Sequence, residues 1–361
     1  MKWYLWGLLV VVVLVVGVYL LNASIASKSA TFAQSEHYRD GQFYNEAPRN
    51  KPSTGETIGL LIRFFTEKKV NTVPPSVPMK TLSRSDLEAL SDDQVHIVKL
   101  GHSSLLVKMY GEYWLLDPVF GERASPFSFA GPKRFHPTPI TMGELPPISR
   151  VLISHNHYDH LDKPTIEFLT KSQPKFYVPL GVGGDLERWG IASQQIEEFD
   201  WWQEQSIGDV LLAFAPTQHF SGRGMSDSNT TLWGSWVIET PDTSLYFSGD
   251  SGYFDGFKRI GERYGPFDLT FIETGAYDKD WADIHMTPEQ SVQAHLDVKG
   301  KVMMPVHNGT FDLAFHAWSD PLERVLSAAN QNNVTLSTPV VGEVFSPLES
   351  PIEKRWWQGV Q

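Results

Sequence analysis

Apolar and polar positions divide this chain into two unlike parts. Residues 3–21 form an unbroken apolar run, dominated by Val and Leu and free of charge. A helix of that length spans about 28 Å at ~1.5 Å per residue, close to the hydrocarbon core of a bilayer. Lys2 and the amino terminus precede the run, and Trp3, Tyr4, Trp6 and Tyr19 lie near its two ends, where amphipathic rings favour the membrane interface. The run is longer than the ~7–15 apolar residues of a secretory leader. The expectation is a retained transmembrane helix rather than a leader cleaved near Ser24-Ile25-Ala26. Lys2 set against Lys28 puts the amino end in the cytoplasm. The expected location is therefore the inner (plasma) membrane, single-pass, with the remaining chain periplasmic or extracytoplasmic.

Beyond the run the pattern changes. Residues 22–81 carry Pro48, Pro52, Pro74, Pro75 and Pro78 and read as a tether and irregular lead-in, since proline limits regular structure. Ser85-Asp86-Leu87-Glu88 has capping-box spacing and predicts a short helix. Strand-like runs at 95–99, 104–109 and 113–116 predict a meander turning at Gly111. Helical character appears at 165–171, 257–264, 288–298 and 322–329. Strands alternating with helices, together with hairpins, predict a layered α/β domain. The division expected is an anchor at 1–24, a tether and lead-in segment at 25–94 and a catalytic domain at 95–361.

Composition narrows the function classes. The 361 residues are 41% hydrophobic and 20% charged, as in ordinary globular proteins. The length beyond the apolar run suffices for one large core. Net charge is −12 with no Lys/Arg-rich run, so nucleic acid, which requires phosphate neutralisation, is not expected as a partner. There is no cysteine, which excludes disulfides and thiolate metal sites.

The chemistry gathers where apolar runs stop. Val151-Leu152-Ile153 leads through Ser154 into His155-Asn156-His157-Tyr158-Asp159-His160. Alternate residues of extended chain face one side, so His155 and His157 can share one ion. Asp159 and His160, past the bend, can reach a second. Residues 210–214 run out to His219, residues 245–247 to Asp250, and residues 302–304 to His307. In open α/β sheets, strand carboxyl ends are where ligands bind. The set divides into His155, His157 and His219 for one ion and Asp159, His160 and His307 for another, with Asp250 bridging. Imidazole and carboxylate without thiolate suit zinc, with manganese or iron less well matched.

These residues carry a resemblance. His155 to His160 matches the His-x-His-x-Asp-His signature of the metallo-β-lactamase superfamily. Further motifs resemble the N-acyl-phosphatidylethanolamine-hydrolysing phospholipase D family and its bacterial relatives: Gly101-His102-Ser103-Ser104, Asp117-Pro118-Val119-Phe120, Gly131-Pro132-Lys133-Arg134-Phe135, Leu232-Trp233-Gly234-Ser235-Trp236 and Gly275-Ala276-Tyr277. The likeness covers roughly residues 95–345. It implies a four-layer αββα sandwich with His155, His157, Asp159, His160, His219, Asp250 and His307 as the ligands of two zinc ions. It also implies His285 in the active site. Two departures stand out: His307-Asn308-Gly309 where the family often has His-Trp-Gly, and Glu273-Thr274 where the phospholipase has an apolar pair.

Two zinc ions about 3.5–4 Å apart can hold a bridging hydroxide at neutral pH. The expected activity is a membrane-anchored phosphodiesterase of phospholipase D type, acting on N-acyl phosphatidylethanolamine or a related phospholipid. His285 would protonate the leaving group, and Asp159 would ligate and relay a proton. A lactone or amide hydrolase on the same metals, and a non-catalytic envelope protein stabilised by metal, are the alternatives. His37, His96, His102, His136, His295 and His316 are expected to be structural. Trp201, Trp202, Trp233 and Trp236 are read as core rather than as an acyl groove. The oligomeric state stays open.

Overall fold

A computed structural model describes residues 2–28, 30–49, 53–347 and 349–360, apart from the side chains at 2–5, 8, 9, 61 and 65. The centre of the molecule is a pair of sheets, each of seven strands. The first runs in the order Val344–Phe345, His96–Gly101, Ser104–Met109, Glu112–Leu116, Arg150–Leu152, Lys175–Pro179, Ile196–Phe199. Its first four strands pair antiparallel and the rest parallel. The second runs Thr335–Leu336, Gly300–Val306, Phe267–Glu273, Ser244–Phe247, Ser235–Glu239, Val210–Ala215, Glu204–Ile207. Here Thr335–Leu336 to Ser244–Phe247 pair parallel and the remainder antiparallel.

Alternation along the strands explains the layering. Leu105, Val107 and Met109 face the core between the sheets, with Leu212 and Phe214 in the same cluster from the opposite sheet. Leu106, Leu115 and Val151 point outward beneath the helices Lys163–Leu169 and Gly183–Arg188. Ala213, Val237 and Tyr246 do the same beneath Gly256–Arg263, Pro288–Asp297 and Asp320–Asn332. The result is helix, sheet, sheet, helix. Trp233 and Trp236 lie fully buried, and Trp201 nearly so, in the inter-sheet core, as their sequence reading expected.

Several expectations are corrected. Lys2–Ile25 is helical, but among the described residues no helix is long and apolar enough to cross a membrane. The expected transmembrane helix, and with it the single-pass inner-membrane location, is therefore not upheld. The side chains of Lys2, Trp3 and Tyr4, on which the orientation partly rested, lie outside the described residues. The last turn of this helix is bonded to the folded domain: Asn22 Oδ1 accepts from Met225 N at 2.6 Å and Asn22 Nδ2 donates to Ser226 Oγ at 2.7 Å. Further on, Ser27 is buried, its N–H on Asp227 and its hydroxyl on Asp185.

The supposedly irregular lead-in contains the helix Thr54–Thr66, started by a Ser53/Glu56 capping box. That cap and the apolar run after it outweigh the neighbouring prolines, of which Pro52 lies outside the described residues. The short helix expected from Ser85 starts earlier, at Arg84–Glu88, because Ser83 and Asp86 form the box.

Candidate metal centre

The loop that follows Arg150–Leu152 is held from behind by Arg223. This buried guanidinium donates to Asn156 O at 2.7 Å and to Leu161 O at 2.8 Å. Asp162 then ends the loop by capping the helix Lys163–Leu169. Thus fixed, His155 Nε2 and His157 Nδ1 stand 2.9 Å apart, and His219 Nε2 lies 3.2 Å from His157 Nδ1. Asp250 Oδ2 is 3.8 Å from both His155 Nε2 and His219 Nε2. A second group adjoins: Asp159 Oδ2 lies 3.2 Å from His307 Nε2 and 3.5 Å from His160 Nε2. Asp250 reaches this group as well, Oδ1 at 3.2 Å from His160 and Oδ2 at 3.1 Å from His307. All the candidate ligands read from the sequence are thus brought together, in the two groups expected, with Asp250 between them.

The backs of the rings set which nitrogen faces inward. His219 Nδ1 donates to Ile284 O at 2.9 Å, and His160 Nδ1 donates to Asp117 Oδ2 at 2.7 Å. Ser154 Oγ donates to Asp117 Oδ2 and so accepts from His155 Nδ1 at 2.9 Å. Each leaves Nε2 with a lone pair for the pocket, the arrangement that orients metal-binding histidines. Although 3.2 Å apart, the buried His160 Nε2 and Asp250 Oδ1 are not aligned to hydrogen-bond each other, and neither has another hydrogen-bond partner among the described residues. Orphaned buried polar atoms are costly, and converging imidazole lone pairs repel. Divalent cations satisfy both groups, so the donor set fits a pair of metal ions. Asp117, His102 and His307 hold left-handed φ angles of 41°, 52° and 62°, backbone strain of the kind stored at functional sites.

Electrostatics follow the geometry. Burial disfavours the charge on His155 and His219 and pushes both pKa values well down. Burial also opposes charge on His307, but Asp250 and Asp159 overcome it and raise the pKa to about 10. Burial likewise works against Asp250, yet His160 and His307 hold its carboxyl well below the usual range.

Three residues at the site were missed or undervalued by sequence reasoning. His102 Nε2 is 2.9 Å from Asp159 Oδ2 and its ring packs 4.0 Å from that of His307, so it belongs with the second group rather than among the structural histidines. Its place in Gly101-His102-Ser103-Ser104 was the available signal. Asp117 carries His160 and Ser154 and is fully buried. Glu273, fully buried, bonds His285 Nδ1. The Asn308 departure also has a role: its Oδ1 accepts from the buried Lys99 Nζ at 3.2 Å, bracing the turn that carries His307. His96, His136, His295 and His316 bond structural partners away from the cluster.

The cluster floors a cleft of about 860 Å³, lined by His157, Asp159, Asp250, His285 and His307. The helix Thr54–Thr66 forms part of its wall through Glu56, Gly59, Leu60, Arg63 and Phe64; Phe220, Trp281 and Ile284 add apolar surface, and Arg49, Lys279, Asp280 and Asp283 add charge. That volume is in the range of small-molecule sites. Asp117→Asn should weaken metal binding ~10–100-fold, as losing a partner of a ligating histidine does. Competition with a chromophoric chelator measures this, and an unchanged affinity would deny Asp117 the orienting role.

Comparisons with known proteins agree with this geometry. The beta-lactamase superfamily domain matches residues 113–308. The chain is 40% identical over 346 residues to an uncharacterized protein of Mycobacterium tuberculosis, covering 94% of this chain and 91% of that one. It is 32% identical over 297 residues to N-acyl-phosphatidylethanolamine-hydrolyzing phospholipase D 1 of Caenorhabditis elegans, covering 78% and 82%. Among solved structures, Igni18, a metallo hydrolase of the archaeon Ignicoccus hospitalis, shares the fold with a TM-score of 0.55 and 20% identity, over 70% of this chain and 97% of that one. With a fold of paired sheets and a histidine–aspartate cluster at their strand ends, the chain belongs to the beta-lactamase superfamily as a metal-dependent hydrolase related to the N-acyl-phosphatidylethanolamine-hydrolysing phospholipases D.

Proposed function

We propose that the chain is a dinuclear zinc phosphodiesterase that cleaves N-acyl phosphatidylethanolamine or a related phospholipid, releasing phosphatidate. The observation that carries this reading is the pairing of the two donor groups through Asp250 at the floor of a cleft whose wall carries both apolar and charged side chains. His155, His157 and His219 would hold one ion, Asp159, His160 and His307 the other, and Asp250 both. Bound there, the ions supply Lewis acidity towards the phosphoryl oxygens and an activated water for attack.

The protein's own groups do the rest. Leu60, Phe64, Phe220 and Trp281 offer apolar surface for acyl chains. Arg49, stacked over Phe220 with its guanidinium 4.6 Å from the ring centre, adds a cation to the cleft wall for an anionic substrate. His285 stands beside the cluster, its ring 5.1 Å from that of His219. From there it can deliver a proton to the leaving alkoxide, which departs poorly without one. It is not the helix cap, since Thr287 takes that place on Pro288–Asp297. The relative's printed activity supports the substrate class.

Offering the zinc-loaded protein a defined N-acyl phosphatidylethanolamine, a lactone and a β-lactam tests the reading. Release of phosphatidate is expected. Turnover of the lactone alone would replace it with the lactone-hydrolase alternative, and no turnover of any would favour a non-catalytic role.

A further inference from the structure

Glu273 is a buried carboxyl outside the two ligand groups described above, bordering them through His285 and His307. It ends the strand Phe267–Glu273. Its Oε2 accepts from Ser251 N at 2.7 Å, its backbone N–H donates to Ser248 Oγ at 2.9 Å, and its backbone oxygen accepts from Ser291 Oγ at 2.6 Å. Oε1 is hydrogen-bonded to His285 Nδ1. The carboxyl is thus immobilised, and a group so buried is costly unless its partners compensate. His285, by contrast, keeps 13% of its side chain exposed and lines the cleft. With Nδ1 taken by Glu273, Nε2 is the remaining polar atom of the ring, and no described residue hydrogen-bonds it.

We propose that Glu273 is a positioning residue for leaving-group departure: it holds the His285 ring with Nε2 free for the cleft and forms the far end of a proton relay through the imidazole. The inference rests on the phosphodiester reading above. In the resting pair one hydrogen lies in the Oε1–Nδ1 bond and another on Nε2. When the phosphorus–oxygen bond breaks, its electron pair stays on the leaving oxygen, which takes the Nε2 hydrogen. The shared hydrogen then closes onto Nδ1, leaving a Glu273 carboxylate and a neutral ring. Water later returns one proton.

The test uses the zinc-loaded full chain and the variants Glu273→Leu and Glu273→Gln. Two esters are compared: bis(p-nitrophenyl) phosphate, whose leaving group departs without a proton, and N-acyl phosphatidylethanolamine in detergent micelles, whose leaving group is an alkoxide. Both variants should lose ~10²-fold or more in kcat on the alkoxide ester, the scale of general-acid assistance. KM should change little, and the aryl ester should slow by less than about 3-fold. Proton–nitrogen spectra should show the wild-type His285 ring as a single tautomer with hydrogen on Nε2. Glu273→Leu should show a tautomer mixture, while Glu273→Gln, whose amide can still bond Nδ1, should hold one form. Equal losses on both esters, or a ring whose tautomer ignores the Leu variant, overturns the relay. If the wild type turns over neither ester, the phosphodiester reading falls by itself, and the nitrogen spectrum decides the pairing.

Discussion

Asp250→Asn should lower metal content and activity together, the latter by at least ~10³-fold. That factor corresponds to about 4 kcal/mol at 1.36 kcal/mol per tenfold, within the several kcal/mol of transition-state charge stabilisation assigned to bound metal. Asp250 is nearly fully buried and lies within 3.8 Å of His155, His160, His219 and His307. An amide of the same shape presents one oxygen and one hydrogen-bond donor, so it cannot give an anionic oxygen to each ion. Metal analysis of the purified variant beside its turnover reads both effects. A variant with two ions per chain and full activity would contradict the bridging role.

Trp236→Ala should cost about 3–5 kcal/mol of stability, the usual range for emptying a large aromatic site in a core. Trp236 is fully buried between the sheets and packs on Phe199 and Phe214, with ring centres 5.2 and 4.6 Å away. Its Nε1 donates to Ile153 O at 2.9 Å. Removing it therefore also leaves that carbonyl without its indole donor, a further loss of about 1 kcal/mol. Ile153 lies two residues ahead of His155, so the damage should spread to the metal site and loosen the ligand loop. Denaturant unfolding of variant and wild type, each with and without metal, measures the loss. Trp202→Ala, at a position only partly buried against the cores, should cost clearly less. A Trp236→Ala loss below ~1 kcal/mol would deny the indole its place in holding the sheets together.

The strand ends were legible because each signal is local. An apolar run followed by His or Asp marks where a strand stops, and the His155–His160 cluster has its own spacing, so the ligand groups follow without knowledge of the sheet order. The helices at 257–264 and 288–298 came within a residue or two of Gly256–Arg263 and Pro288–Asp297, since cap residues and periodicity are also local. Partners distant in the chain were not legible. His102 meets Asp159 across 57 positions and Asp117 meets His160 across 43, contacts that exist only once the sheet has paired. The helix Thr54–Thr66 lies among prolines that argue against regular structure, and only the Ser53/Glu56 box marks its start. Its role as a cleft wall is a tertiary fact that no local pattern carries. The apolar run at 3–21 shows the opposite error: its hydropathy was legible, but the membrane crossing inferred from it is not upheld.

The most direct test of the paired-metal account is anomalous diffraction at the zinc edge from crystals of the zinc-loaded protein. The account predicts two peaks in the pocket. One should lie about 2.0–2.2 Å from His155 Nε2, His157 Nδ1 and His219 Nε2, and the other at like distances from Asp159, His160 and His307, with Asp250 oxygens reaching both. A pocket without anomalous density, or zinc bound only elsewhere on the chain, would contradict it.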